Sequence, residues 1–235
     1  MMNFNAQLVF KKNFKEAKTV WDVISSLITS EQVDIFNFEE LHISKLKIRQ
    51  QIVSYFQVEG DGYSIDFDYN ANSQINILFI DNVKIRLDKF ENILKPLFQN
   101  TSFLQGRIYN QEYDIWQNMH DIGYYESSGK DYSHLLKKSN GMPYPLEATI
   151  IDTSSNPGRY IFHDGYIEFI GSTMWFGREF LNSLNSDIGK MKELSFITTE
   201  CFDNYIKIIT HDELFVENDG TEDKQRHLRN LLYLS

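Results

Sequence analysis

The residues Asn156-Pro157-Gly158-Arg159-Tyr160-Ile161-Phe162-His163-Asp164-Gly165-Tyr166-Ile167-Glu168-Phe169-Ile170 read as turn, strand, turn, strand. Pro157-Gly158 suits the central positions of a type II turn, proline presetting φ and glycine accepting a positive one. Asp164-Gly165, flanked by alternating apolar residues, is the signal of a tight hairpin. The register that follows sets His163 opposite Tyr166, Ile161 opposite Glu168 and Arg159 opposite Ile170. Tyr160, Phe162, Ile167 and Phe169 then share one face, expected to be the core side. On the other, mixed face Arg159 and Glu168 lie diagonally, near enough for an ion pair, with His163 and Tyr166 beside them.

Working outward, residues 147–152 form a further expected strand, 178–184 a short helix, and 205–210 and 213–216 two more strands. Leu228, Leu231 and Leu232 mark a C-terminal helix. In the first half, Phe4, Ala6, Leu8 and Phe10 alternate as a strand. Asn13 then caps a helix whose stripe is Phe14, Ala17, Val20, Trp21, Ile24, Leu27 and Ile28. A weaker helix fits 44–56. After Gly60-Asp61-Gly62, the alternation of Tyr63, Ile65, Phe67 and Tyr69 and that of Ile75, Ile77 and Phe79 predict a hairpin or meander. Asp88 is placed to cap a helix with Phe90, Ile93, Leu94, Leu97 and Phe98 on its face, and Pro96 predicts a kink or an early end. Residues 101–146 carry no clear pattern. Strands and helices intermix without βαβ regularity, so the expected class is α+β with a mainly antiparallel sheet and helices packed on it. The expectation is a single domain over 1–235, with any division near 100 or 140.

A chain of 235 residues that is 42% hydrophobic, with the apolar residues spread throughout, has enough core to fold without staples. Its one cysteine, Cys201, forms no intramolecular disulfide, and a buried, inert thiol is expected. No apolar run approaches the ~20 residues that span a bilayer, and the start lacks a secretion signal. A cytoplasmic protein is expected. With 23 basic against 33 acidic residues, the net charge of −10 disfavours nucleic acid and anionic membrane as partners and favours a basic protein.

Three groups of residues extend the hairpin into a longer pattern: Asn156-Pro157-Gly158-Arg159, then Gly165-Tyr166-Ile167-Glu168, then Gly171-Ser172-Thr173-Met174-Trp175-Phe176-Gly177, with Leu228-Arg229-Asn230-Leu231-Leu232-Tyr233 at the end. In their spacing they resemble the central motif of an immunity-protein family associated with bacterial polymorphic toxins and type VI or contact-dependent secretion. The resemblance covers about a quarter of the chain, and where the pattern has a second aromatic after Phe180 this chain has Leu181 and Leu184. It implies a cytoplasmic, non-enzymatic protein without cofactor or metal that binds and neutralises a cognate secreted toxin. Candidate contact residues are Arg159, His163, Tyr166 and Glu168 on the mixed face, and two acidic clusters, Asp61, Asp66, Asp68 and Glu217, Asp219, Glu222, Asp223. Trp175 is expected as a packing anchor beneath the hairpin.

The alternative is a small hydrolase or metal enzyme with a dispersed site. His120-Asp121, His163-Asp164 and His211-Asp212 resemble part of a metal-dependent phosphohydrolase site, but two of them fall at expected turns, where Asp serves turn chemistry. Cys201 and His211 are a candidate thiolate–imidazole pair, since distance in sequence does not forbid contact. Neither acidic cluster has the spacing of a twelve-residue calcium loop, and no nucleophile elbow, phosphate loop or paired Cys-x-x-Cys occurs.

Overall fold

In a computed structural model of the chain, residues 3–12, 55–60, 63–71, 75–184 and 188–233 are described. Strand β1 (Phe4–Phe10) is buried on both faces and pairs antiparallel with β4 (Ile75–Val83). β4 pairs with β3 (Tyr63–Ala71), and β3 with β2 (Tyr55–Gly60), giving the expected meander. The helix expected over 14–28 lies outside the described residues. So does most of that over 44–56, but its end is corrected: Tyr55 and Phe56 open β2, where Phe56 is paired with Phe67.

Helix α1 (Leu87–Phe98) turns Phe90, Leu94, Leu97 and Phe98 inward. Its N-cap is Arg86, not Asp88. Asp88 sits in the first turn and binds the Arg86 guanidinium at 2.9 Å. Pro96 falls in the last turn and the helix ends two residues later. β5 (Phe103–Tyr109) then runs antiparallel to β1. It went unread because Gln105 and Arg107, buried like their apolar neighbours, erase the alternation that marks a half-exposed strand.

Two short helices follow, α2 (Gln111–Asn118) and α3 (Ile122–Ser128), then the hairpin of β6 (Lys137–Ser139) with β7 (Thr149–Ile151). β8 (Ile161–His163) and β9 (Tyr166–Glu168) form the expected hairpin in the expected register, with Gly165 at φ +92. β10 (Thr173–Gly177), unmarked by the sequence pattern, enters the main sheet between β5 and β12 (Tyr205–Ile209). α4 (Arg178–Ser183), α5 (Ile188–Glu193), the edge strand β11 (Thr198–Cys201) and α6 (Glu222–Tyr233) complete the order. Residues 213–216 are not a strand, because the Asp219 carboxylate takes the Val216 N–H at 2.9 Å and bends the segment.

The product is an eight-stranded antiparallel sheet, β11-β12-β10-β5-β1-β4-β3-β2, continuous across residues 100 and 140. One face is covered by α1. Trp175 belongs to this side, stacked on Phe98 at 5.0 Å, which corrects its expected place beneath the β8–β9 hairpin. Successive residues of a strand point to opposite faces, so Met174 and Phe176 instead join the second core with Ile167, Phe169, Leu228 and Leu232. The hairpin and α6 therefore share the far side of the sheet.

Candidate functional site

On that far side the sheet presents buried polar groups, and the segment 156–170 is built on them. Gln105 donates its amide to the Ile167 carbonyl. Arg107 donates Nε to Gln7 at 3.0 Å, pairs with Asp114 at 2.8 Å and lies over the rings of Tyr109 and Phe169. A buried arginine is tolerable when its donors and charge are met in this way.

The turn 156–159 is strapped to the end of α2. Asn156 Nδ2 donates to the Gln117 carbonyl and the Gly158 N–H to Gln117 Oε1, both at 2.9 Å, and the Tyr160 N–H to Asn118 Oδ1 at 2.8 Å. Gly158 is not among the glycines of positive φ, so the expected type II geometry does not hold. Glycine is needed here for closeness, since a Cβ would lie 2.7 Å from both Tyr113 and Gln117. The phenol of Tyr113, bonded to Gln225, is pushed up to about 12 by burial.

Arg229 closes the assembly from α6. Its guanidinium binds the Glu168 carboxylate and donates to the carbonyls of Arg159 and Pro157, the last at 3.2 Å. Glu168 is 4% exposed and Arg229 2%, and Arg229 Nε meets no acceptor among the described residues. Glu168 Oε2 lies 3.2 Å from His163 Nε2, and the His163 ring stacks on Tyr166 at 4.5 Å. Tyr166 lies parallel to Tyr233 at 6.2 Å, and Tyr233 donates its hydroxyl to the Phe169 carbonyl at 3.2 Å. The Tyr233 phenol is held far above its ordinary value by burial.

Comparison of the chain with family models, with curated proteins and with solved structures finds no match.

Two expectations for the hairpin are corrected by this geometry. Glu168 pairs with Arg229 rather than with Arg159, whose guanidinium turns to the Asn156 carbonyl at 2.8 Å. Burial and the neighbouring Arg229 charge lower the Arg159 pKa. The two faces of β8 are also not as expected. Ile167 and Phe169 are buried, but Tyr160 and Phe162 are exposed, 5.1 Å apart, beside an exposed Ile161. Arg229 holds Glu168 inward, so β8 becomes the outer strand of the hairpin.

The acidic clusters do not join this site. Asp66 and Asp68 are half-buried on β3, four strands from β10, and Asp61 lies outside the described residues. Glu217 binds Lys130 at 2.7 Å, and Asp223 binds Arg226 at 2.9 Å. Asp219 accepts from the Thr221 N–H and hydroxyl as well as Val216, shaping the start of α6 beside Glu222.

Cys201 is exposed, against expectation, because β11 is the sheet edge. It pairs with Ile206 at the opposite end of β12 from His211, so the two do not form a pair. His120 is held by the Ile151 carbonyl at 3.0 Å and His211 by that of Glu213 at 3.1 Å. Among the described residues no three His, Cys, Asp or Glu side chains group as a metal site, and no helix is long and apolar enough to cross a membrane. An open groove of about 440 Å³ lies along Phe196, Thr198, His211, Glu213 and Lys224.

Arg229 stands in the C-terminal part of the resembling pattern but was not among the candidate contact residues. Its signal was a charge on the stripe that Leu228 and Leu232 mark on α6, a placement that requires a buried partner.

Proposed function

We propose that the chain is an immunity-type protein that binds and neutralises a cognate secreted antibacterial toxin in the cytoplasm of the cell that makes it. It acts by occupying the toxin rather than by catalysis, and it uses no cofactor. The observation that carries this reading is the way the resembling segments cooperate. The turn at Pro157, the strand residue Glu168 and the helix residue Arg229 are tied by one guanidinium. Each segment is thus used to hold a frame, with none of its charged groups spent on an open pocket. Exposed around that frame are the aromatic and aliphatic side chains of Tyr160, Ile161 and Phe162, suited to contact with another protein.

Co-expression with the product of the neighbouring toxin gene tests the proposal. Cells carrying the toxin should survive only when this chain is present, and the two proteins should co-purify as a complex. No protection and no captured partner, together with turnover of a small substrate, would put the hydrolase alternative in its place.

A further inference from the structure

The β6–β7 hairpin ends in a tip that is fixed although almost nothing in it is buried. Asn140 fixes it: its Nδ2 donates to the Leu146 carbonyl at 2.9 Å, and its Oδ1 accepts from the N–H groups of Met142 and Ala148 at 3.1 Å. The Asn140 N–H donates to the Ala148 carbonyl and that of Leu146 to Pro143, both at 2.9 Å. Gly141, at φ +75, supplies a bend that other residues rarely adopt. All of this restrains backbone, and the side chains it presents are apolar: Met142 is 49% exposed, Tyr144 90% and Leu146 63%, with Leu136 at 69% at the base.

Ordering a loop before binding removes a cost that a slack loop would meet on association. Three large apolar residues projecting together mark a contact surface, and a convex tip fits a cleft. The surrounding charge indicates what kind of cleft. Lys130 and Lys138 are engaged by Glu217 and Asp152 within the fold, and Lys137 lies over the Tyr132 ring. The exposed carboxylates of Asp121, Glu126, Asp131 and Glu147 have no lysine or arginine partner among the described residues. Asp121 follows His120, whose carbonyl takes the Ile151 N–H, and Glu126 binds the Tyr132 phenol beneath Lys137, so the base of the hairpin behind the tip carries more carboxylate than ammonium.

We infer that the Met142–Leu146 tip is the element that enters the partner, and that the partner is a protein with an apolar cleft rimmed by lysine and arginine. This rests on the neutralisation reading above and names the surface that performs it. A photo-reactive benzoylphenylalanine placed at Tyr144, and separately at Phe202 on the distant β11–β12 turn, tests it in the cells that naturally make the protein. The Tyr144 position should cross-link to one basic protein, identified by mass spectrometry as the toxin, and the Phe202 position should not. A Met142→Ser, Tyr144→Ser, Leu146→Ser variant with native melting behaviour should bind that toxin about 30-fold or more weakly, as loss of a central anchor does. A cross-link from Tyr144 to a second copy of the chain, or none, overturns the inference. Protection from the toxin, assayed in the same cells, decides separately whether the neutralisation reading falls with it.

Discussion

Arg229 and Glu168 show how much one side-chain pair can hold. Removing one partner leaves the other charge buried and uncompensated, so Arg229→Met or Glu168→Met should each cost about 3–5 kcal/mol in urea unfolding. The double variant Arg229→Met, Glu168→Met should lose less than the sum, since both charges leave together. Additive losses would mean that the two act separately. Trp175 makes a contrasting case. It is 1% exposed and stacked on Phe98, on the sheet face away from the hairpins. Trp175→Ala should cost about 3–5 kcal/mol while leaving the affinity of the folded fraction for its partner unchanged. Weakened binding at full folding would place an interface on the α1 face. The local sequence suggested Arg159 for Glu168 because diagonal neighbours on a hairpin can meet. The actual partner is 61 residues away, and only the charge on the apolar stripe of α6 hinted at it.

Among the elements, α6 matters most because it delivers Arg229, Tyr233 and Leu232 to the far core, and its start depends on Asp219. That carboxylate accepts from Val216, from the Thr221 N–H and from the Thr221 hydroxyl, the last at 2.6 Å. Burial tends to raise its pKa, but the bonds from Thr221 and Val216 outweigh this and hold it below the ordinary carboxylate value. The sign of the linkage follows: a lowered folded-state pKa gives stability that is fully present at neutral pH and is lost as pH falls through that pKa. Asp219→Ala should cost about 1 kcal/mol at neutral pH, as loss of a helix-start bond does. The gap between the variant and the natural protein should close on acidification, and a gap independent of pH would show that the charged form is not what stabilises the loop. Amphipathic elements such as α1, α6 and the β3–β4 hairpin could be read from their periodicity. β5 and β10 could not: both are buried along nearly their whole length, and the order of apolar and polar residues in neither alternates as it does in β1, with Gln105 and Arg107 of β5 buried as deeply as Phe103.

For the molecule as a whole, the charge of −10 is unevenly spent. Several of the basic groups are consumed inside the fold, in pairs such as Arg107–Asp114, Lys207–Glu91 and Arg229–Glu168. Surplus carboxylates are left facing outward, and those at the base of the β6–β7 hairpin lie where a basic partner gripping its tip would arrive. At physiological salt, screening sets in over about 8 Å, so charges at the contact should act on association more strongly than equal charges placed elsewhere. The variant Glu126→Gln, Asp131→Asn, Glu147→Gln should slow association with the toxin several-fold at low salt, with little change in dissociation and with a shallower dependence on ionic strength. Glu193→Gln, Asp212→Asn, Glu213→Gln removes the same three charges from another part of the surface and should slow it less. Stopped-flow measurements on both variants across a salt series separate the possibilities. Equal slowing would mean that net charge alone draws the partner in, and a larger effect from the second variant would move the approach to the groove beside β11.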